Sequence, residues 1–152
     1  MIKICFVCLG NICRSPMALF VMKNLVKEHG LEQEIVIDSR GTDAEVGNDM
    51  HIGSKRMLDQ YHIPYKKHVS TQLKSSDYEE FDYFIGMDDY NIHDMIKILK
   101  KDDKVYKLLD FTRESKDIAD PWYTNNFEIT YNEIDKGCRG LLEFLMSLSK
   151  NE

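Results

Sequence analysis

Long apolar runs are missing from this 152-residue sequence. After Lys3 only Ile4 to Leu9 run uninterrupted before Gly10-Asn11, too short for an export signal or a membrane span. That absence predicts a cytoplasmic protein with no membrane insertion, in a compartment where thiols stay reduced. Positive charge is also short: 20 Lys and Arg stand against 26 Asp and Glu, a net charge of −6. A general nucleic-acid binder is excluded by that balance, since its affinity rests on clustered cations. Any phosphorylated ligand must be gripped by a local set of donors. Cysteine occurs only at 5, 8, 13 and 138 and forms no framework of the extracellular kind. Linkers, internal repeats and low-complexity stretches are lacking too. Residues 1–152 therefore read as one domain, long enough to bury a single core.

What is present is a regular alternation. Ile2 to Val7 is short, apolar and partly β-branched, which reads as a buried strand. Ser15-Pro16 follows as a helix entry, because proline suits the first helical position. That helix runs to about His29 with Leu19, Met22 and Val26 inward, and Gly30 stops it. Glu34 to Asp38 is a second strand and Gly53 to Tyr61 a short helix carrying Met57 and Leu58. Phe81 to Met87 is the third strand. Asp88 caps the next helix, in which Ile92, Met95, Ile96 and Leu99 share one face. Lys104 to Leu109 is the fourth strand. The last helix, about Phe127 to Ser149, turns Ile134, Cys138, Leu141, Leu145 and Leu148 inward, and Gly137 and Gly140 allow it to pack closely. Strands alternating with helices predict an α/β fold, a parallel sheet covered on both faces. Ligands of such sheets bind beyond the carboxyl ends of the strands. The loops at 8–15 and 110–126 both follow strands and can share that rim.

Cys8 and Arg14 are separated by five residues in a loop between a strand and a helix N-terminus. Successive N–H groups in such a turn can converge on one anion, and the helix dipole adds positive potential. Gly10 can adopt positive φ and let the chain approach a ligand. Asn11 can brace the loop with its amide or itself take the left-handed conformation. Arg14 offers a planar fork that matches two phosphate oxygens. The N–H groups, the helix terminus and Arg14 should favour a thiolate at Cys8. Ser15 can donate its hydroxyl to that sulfur or cap the helix; the sequence leaves both open. A thiolate beneath a cradled phosphate implies in-line attack and a phosphocysteine intermediate. A phenol leaving group, with a pKa of about 10, then needs a proton. Asp120 is the candidate donor, on a loop stiffened by Pro121 and flanked by the flat surfaces of Trp122 and Tyr123.

The run Val7-Cys8-Leu9-Gly10-Asn11-Ile12-Cys13-Arg14-Ser15-Pro16 resembles the signature loop of the low-molecular-weight protein tyrosine phosphatases. Asp120-Pro121-Trp122-Tyr123 is similar to that family's late Asp-Pro-aromatic-aromatic loop, and the element order agrees across nearly the whole chain. The resemblance implies a three-layer α/β/α fold with four parallel strands in the order 2-1-3-4. It implies hydrolysis of phosphotyrosine in proteins and of small aryl phosphates, with no cofactor and no metal. By the same resemblance Cys8 is the nucleophile, Arg14 the phosphate clamp, and Asp120 the general acid and then base. The residues Leu9, Gly10, Asn11, Ile12, Cys13, Arg14 and Ser15 would hold phosphate, supported by Asn11, Ser15, Ser39 and His68. Cys13 would form a reversible disulfide with oxidised Cys8; a residue that merely fills the loop is the plainer reading. Related arginine phosphatases carry Thr where Ile12 stands, which favours phosphotyrosine here.

Three departures from the family pattern stand out. Ala44 and Glu45 occupy positions where many members have an aromatic wall, so the side facing Trp122 and Tyr123 is expected to be open and acidic. Thr71 replaces a commonly basic residue, and Arg40 follows Ser39 where a small one is usual. Rival functions fare worse. A zinc site on Cys5, Cys8 and Cys13 lacks a second cysteine pair. An arsenate reductase needs further cysteines near the third strand, where Gly86, Met87 and Asp88 stand. A module that only binds phosphoproteins would not need nucleophile, clamp and acid together. His29, His51, His62 and His93 read as surface or satisfied histidines, and Cys5 and Cys138 as core residues.

Overall fold

A computed structural model describes residues 1–150, with side chains through Leu148. Strands β1 (Ile2–Cys8), β2 (Ile35–Gly41), β3 (Tyr83–Gly86) and β4 (Val105–Lys107) form one parallel sheet in the order β2-β1-β3-β4, as expected. The period of two along β1 decides how the layers form. Ile4, Phe6 and Cys8 face a core built with α1 (Arg14–Glu28), α2 (Ile52–Gln60) and α5 (Phe127–Lys150). Cys5 and Val7 face the opposite side, against Met95 and Leu99 of α3 (Asp89–Leu99). The two cysteines of the zinc-like spacing thus lie on opposite faces of one strand, which dismantles that reading. Helix α1 is buried at every position from Arg14 to Met22, as a helix wrapped by sheet and neighbours must be.

Several boundaries move for tertiary reasons. β2 continues to Gly41 instead of ending at Asp38, because Ser39, Arg40 and Gly41 pair with Phe6, Val7 and Cys8. β3 and β4 are shorter than the apolar runs that contain them, and Leu108–Phe111 coils into a 3₁₀ turn. That turn sits under α5 at Gly137 and Gly140: a Cβ at 137 would lie 2.5 Å from Leu108 Cγ, and one at 140 would run into the Phe111 carbonyl. The glycines permit the close approach that the sequence suggested. On α3 the inward stripe is centred on Met95, with Asn91 and Leu99 buried and Ile92 and Ile98 beside them. Ile96, expected inward, is 37% exposed, and Leu148 at the far end of α5 is 38% exposed. After that 3₁₀ turn and before α5 comes a one-turn α-helix, α4 (Pro121–Thr124), entered through Asp120 and Pro121.

The order β2-β1-β3-β4 makes β1 the strand from which the chain departs to both sides. Its carboxyl end at Cys8 therefore opens at a topological switch point. No described helix is long and apolar enough to cross a membrane.

Candidate active site

Everything about the 8–15 loop follows from where its carbonyls go. Cys8 O accepts from Thr42 N and Leu9 O from Asp43 N, each at 2.9 Å. Asn11 O is bonded by His68 Nε2 at 2.8 Å and Ile12 O by His51 N at 2.8 Å. Cys13 O accepts from Ser54 Oγ at 3.0 Å and Met17 N at 3.3 Å. With these carbonyls tied outward, the N–H groups from Leu9 to Arg14 have no protein acceptor among the described residues. Leu9, Gly10, Ile12, Cys13 and Arg14 border a cavity at the N-terminus of α1, which adds its partial positive charge.

Asn11 takes both of the roles open to it. Its φ is 58°, and its buried amide accepts from Thr71 N at 2.9 Å while donating to Ser15 Oγ at 2.8 Å and Ser39 Oγ at 3.0 Å. Gly10 is not the left-handed residue, and a Cβ there would meet only Ile12 Cγ1 at 3.8 Å. Ser15 does not cap α1, whose first residue is Arg14. Its hydroxyl lies 2.9 Å from Cys8 Sγ. Because Asn11 donates to Ser15 Oγ, the serine's own hydrogen is free for the sulfur, the alternative acceptor Arg40 O being farther at 3.4 Å. The unusual Thr71 and Arg40 are accounted for here. Thr71 acts through its backbone N–H, and Arg40 turns away to Asp38, Asp77 and the Phe81 ring.

His68 braces the loop from behind. Burial dominates its titration and holds its pKa below the usual 6.5, against the opposing pull of the Asn11 carbonyl and Asp49. The folded state thus prefers the neutral ring, so this contribution to stability is complete above pH 6.5 and fades as pH falls below it. Asp49, which accepts from the His68 N–H, is drawn down to about 2 mainly by its bond to Lys55 and stays ionised across that window. The stability gap between wild type and His68→Gln should therefore narrow between pH 7.5 and 5.0 in urea unfolding. A gap that stays constant or widens would refute this.

Arg14 is 3% exposed, anchored through one arm of its fork, and borders the cavity. Nη1 donates to Asp88 Oδ2 at 2.8 Å and Ile118 O at 2.9 Å, and Nη2 lies 3.4 Å from Asp120 Oδ2. Burial opposes its charge, but Cys8, Asp88 and Asp120 outweigh it and raise its pKa above the usual arginine range. Asp88 is the partner that sequence reasoning missed. Its other oxygen accepts from Asn91 N, the helix cap that was read correctly. A carboxylate at the end of β3, the strand beside β1, was the available signal.

Asp120 combines two readings: Oδ1 accepts from Trp122 N at 3.0 Å and starts α4, while Oδ2 faces Arg14. A cavity of about 150 Å³ opens between the loops, lined by Cys8, Leu9, Gly10, Ile12, Cys13, Arg14, Asp120, Trp122 and Tyr123. The aromatic pair stands largely in solvent, 72% and 81% exposed. Ala44 and Glu45 do not line this cavity. Their segment folds onto residues 70–72, with Ala44 N donating to Gln72 Oε1 and Glu45 O accepting from Ser70 Oγ. Besides the aromatics, Leu9, Gly10 and Ile12 of the loop itself line the cavity. Cys13 also borders the cavity, but burial, then Cys8 and Asp120, push its thiol up to about 12, and all four cysteines are free.

A family profile described as "Low molecular weight phosphotyrosine protein phosphatase" matches residues 3–152. The chain is 41% identical over 150 residues to the low molecular weight protein-tyrosine-phosphatase PtpA of Staphylococcus epidermidis, covering 96% of this chain and 95% of that one. Among solved structures it resembles YfkJ from Bacillus subtilis, at TM-score 0.93 and 38% identity over 97% of this chain and 96% of that one. It also resembles SP-PTP, a low molecular weight protein tyrosine phosphatase from Streptococcus pyogenes, at TM-score 0.85 and 42% identity, covering 95% and 93%.

Proposed function

The chain belongs to the low molecular weight phosphotyrosine protein phosphatase family, and from that premise we propose how its own residues divide the hydrolysis of phosphotyrosine. The Cys8 thiolate attacks phosphorus while the N–H groups from Leu9 to Arg14 and the Arg14 fork hold the phosphate oxygens. As the bond from phosphorus to the tyrosine oxygen breaks, Asp120 gives its proton to that oxygen. Water then attacks the phosphocysteine and Asp120 takes the water's proton. The sulfur–phosphorus bond breaks, inorganic phosphate leaves, and the Ser15 hydroxyl receives the returning thiolate. The cytoplasm is the setting this thiol chemistry needs.

The observation that supports this reading is the shared cavity: sulfur, guanidinium and carboxylate border one space of about 150 Å³. Its exposed aromatic rim suits an aryl ring. Asp120→Ala should lower kcat/KM, which reports phosphoenzyme formation alone, by about 10²-fold on phenyl phosphate and by less than about threefold on dinitrophenyl phosphate. Steady-state assays without added metal check it, and equal losses on the two substrates would remove Asp120 from the acid role. Ile12 on the cavity wall favours a phenyl ring over a guanidinium, so a phosphotyrosine peptide should be cleaved faster than a phosphoarginine peptide.

A further inference from the structure

Asp120 lies on a segment that has almost no regular structure before it, yet its approach is fixed with unusual economy. Both backbone groups of the preceding residue, Ala119, are taken by helix α5. The Ala119 carbonyl accepts from Thr130 Oγ1 at 2.7 Å, and the Ala119 N–H donates to Glu133 Oε1 at 3.1 Å. Thr130 and Glu133 are three residues apart and so share one face of the helix. Thr130 is fully buried, and its hydroxyl has a single hydrogen. The competing Asn126 carbonyl is at 3.4 Å, so that hydrogen goes to Ala119. Glu133 is steadied through its other oxygen by Lys116 at 3.3 Å. One residue earlier, Ile118 donates to Met87 O and accepts from Arg14. The peptide that carries Asp120 is thus pinned between the residue that follows β3, the Arg14 side chain and α5.

We infer that Thr130 and Glu133 are positioning residues for proton transfer: by clasping the Ala119 peptide they aim the Asp120 carboxyl at the leaving oxygen. Neither borders the cavity, so both act through Ala119 and Asp120. This inference rests on Asp120 being the general acid. Its physical basis is that a misplacement of about 1 Å at a reacting group can cost about 10²-fold in rate. On its other side Asp120 is held by α4, whose Tyr123 N and Thr124 N bond its carbonyl, while its carboxyl has the cap to Trp122 N and a long contact with Arg14.

The test compares leaving groups. Thr130→Val keeps the shape and loses the donor. It should lower kcat/KM on phenyl phosphate by about tenfold, a fraction of what a general acid contributes. On dinitrophenyl phosphate, kcat/KM should stay within about twofold, as should inhibition by vanadate. Thr130→Ser restores the donor and should recover most of the loss. Glu133→Gln keeps the acceptor oxygen and should resemble wild type, whereas Glu133→Leu should repeat the Thr130→Val pattern. In an Asp120→Ala background, neither Thr130→Val nor Glu133→Leu should slow phenyl phosphate further. Should Thr130→Val fold poorly, the Glu133 pair carries the test, because that side chain sits nearer the surface, at 13% exposure.

Equal losses in kcat/KM on both substrates, additive losses in the Asp120→Ala background, or unchanged kcat/KM would overturn the inference. The two layers separate cleanly. If Asp120→Ala discriminates between leaving groups and Thr130→Val does not, the clasp alone falls; if Asp120→Ala does not discriminate, the acid assignment falls and the clasp with it.

Discussion

Cys8→Ser lowers turnover by about 10⁴-fold or more while the protein stays folded and still binds phosphate or vanadate. Serine at this position keeps a hydrogen-bonding atom beside Ser15, and the site, 4% exposed, already accepts a small polar partner. The expected shift in melting temperature is correspondingly small, of the order of a few degrees for a chain of this length. The lost function has a different cause. A hydroxyl is not ionised at neutral pH and needs a general base, and the buried histidine behind the loop is bonded to the Asn11 carbonyl instead. Steady-state kinetics together with thermal melts and vanadate titration decide the matter. Turnover within tenfold of wild type would displace Cys8 as nucleophile.

Arg14→Lys is the second large effect. One ammonium cannot reproduce a fork whose Nη1 holds Asp88 and Ile118 while Nη2 reaches toward the cavity and Asp120. A lysine that satisfies Asp88 gives up phosphate, and one that reaches phosphate leaves a largely buried carboxylate without its partner. The expected loss in kcat is about 10²- to 10³-fold. It should be nearly the same for good and poor leaving groups, because the clamp acts on the equatorial oxygens whatever departs. That flat dependence separates Arg14 from Asp120 in one set of assays. A loss smaller than tenfold would mean the backbone cradle carries the charge without the guanidinium.

The contiguous part of the site was the legible part. Cys8 through Ser15 carry their chemistry within eight neighbouring residues, and a strand, a glycine and Ser-Pro announce the loop's position. The sheet was legible for a similar reason, since four apolar runs separated by helical patterns leave little choice of architecture. What was hidden depends on partners far along the chain. Arg14 meets Asp88 and Ile118 across 74 and 104 residues, and the carboxylate that serves it looks like any helix cap. The Thr130 and Glu133 contacts with Ala119 were hidden among ordinary polar positions of an amphipathic helix. Ala44 and Glu45 were placed by resemblance, which supplies a position without its local fold, and they do not line the cavity. The hydrogen bonds to Gln72 and Ser70 that draw them aside have no periodic signature.

The outward-tied carbonyls of the 8–15 loop have a consequence for how the protein is born. Synthesis proceeds from the N-terminus, so Cys8 leaves the ribosome before the residues that build its cradle. Its cradle requires Thr42, Asp43, His51, Ser54 and His68, and the Arg14 side chain is not seated until Asp88 and Ile118 arrive. Such long-range closures are costly in chain entropy and come late. Until those residues have emerged, the loop that carries Cys8 has no assembled cradle. Catalytic competence then comes all at once, with the completed fold.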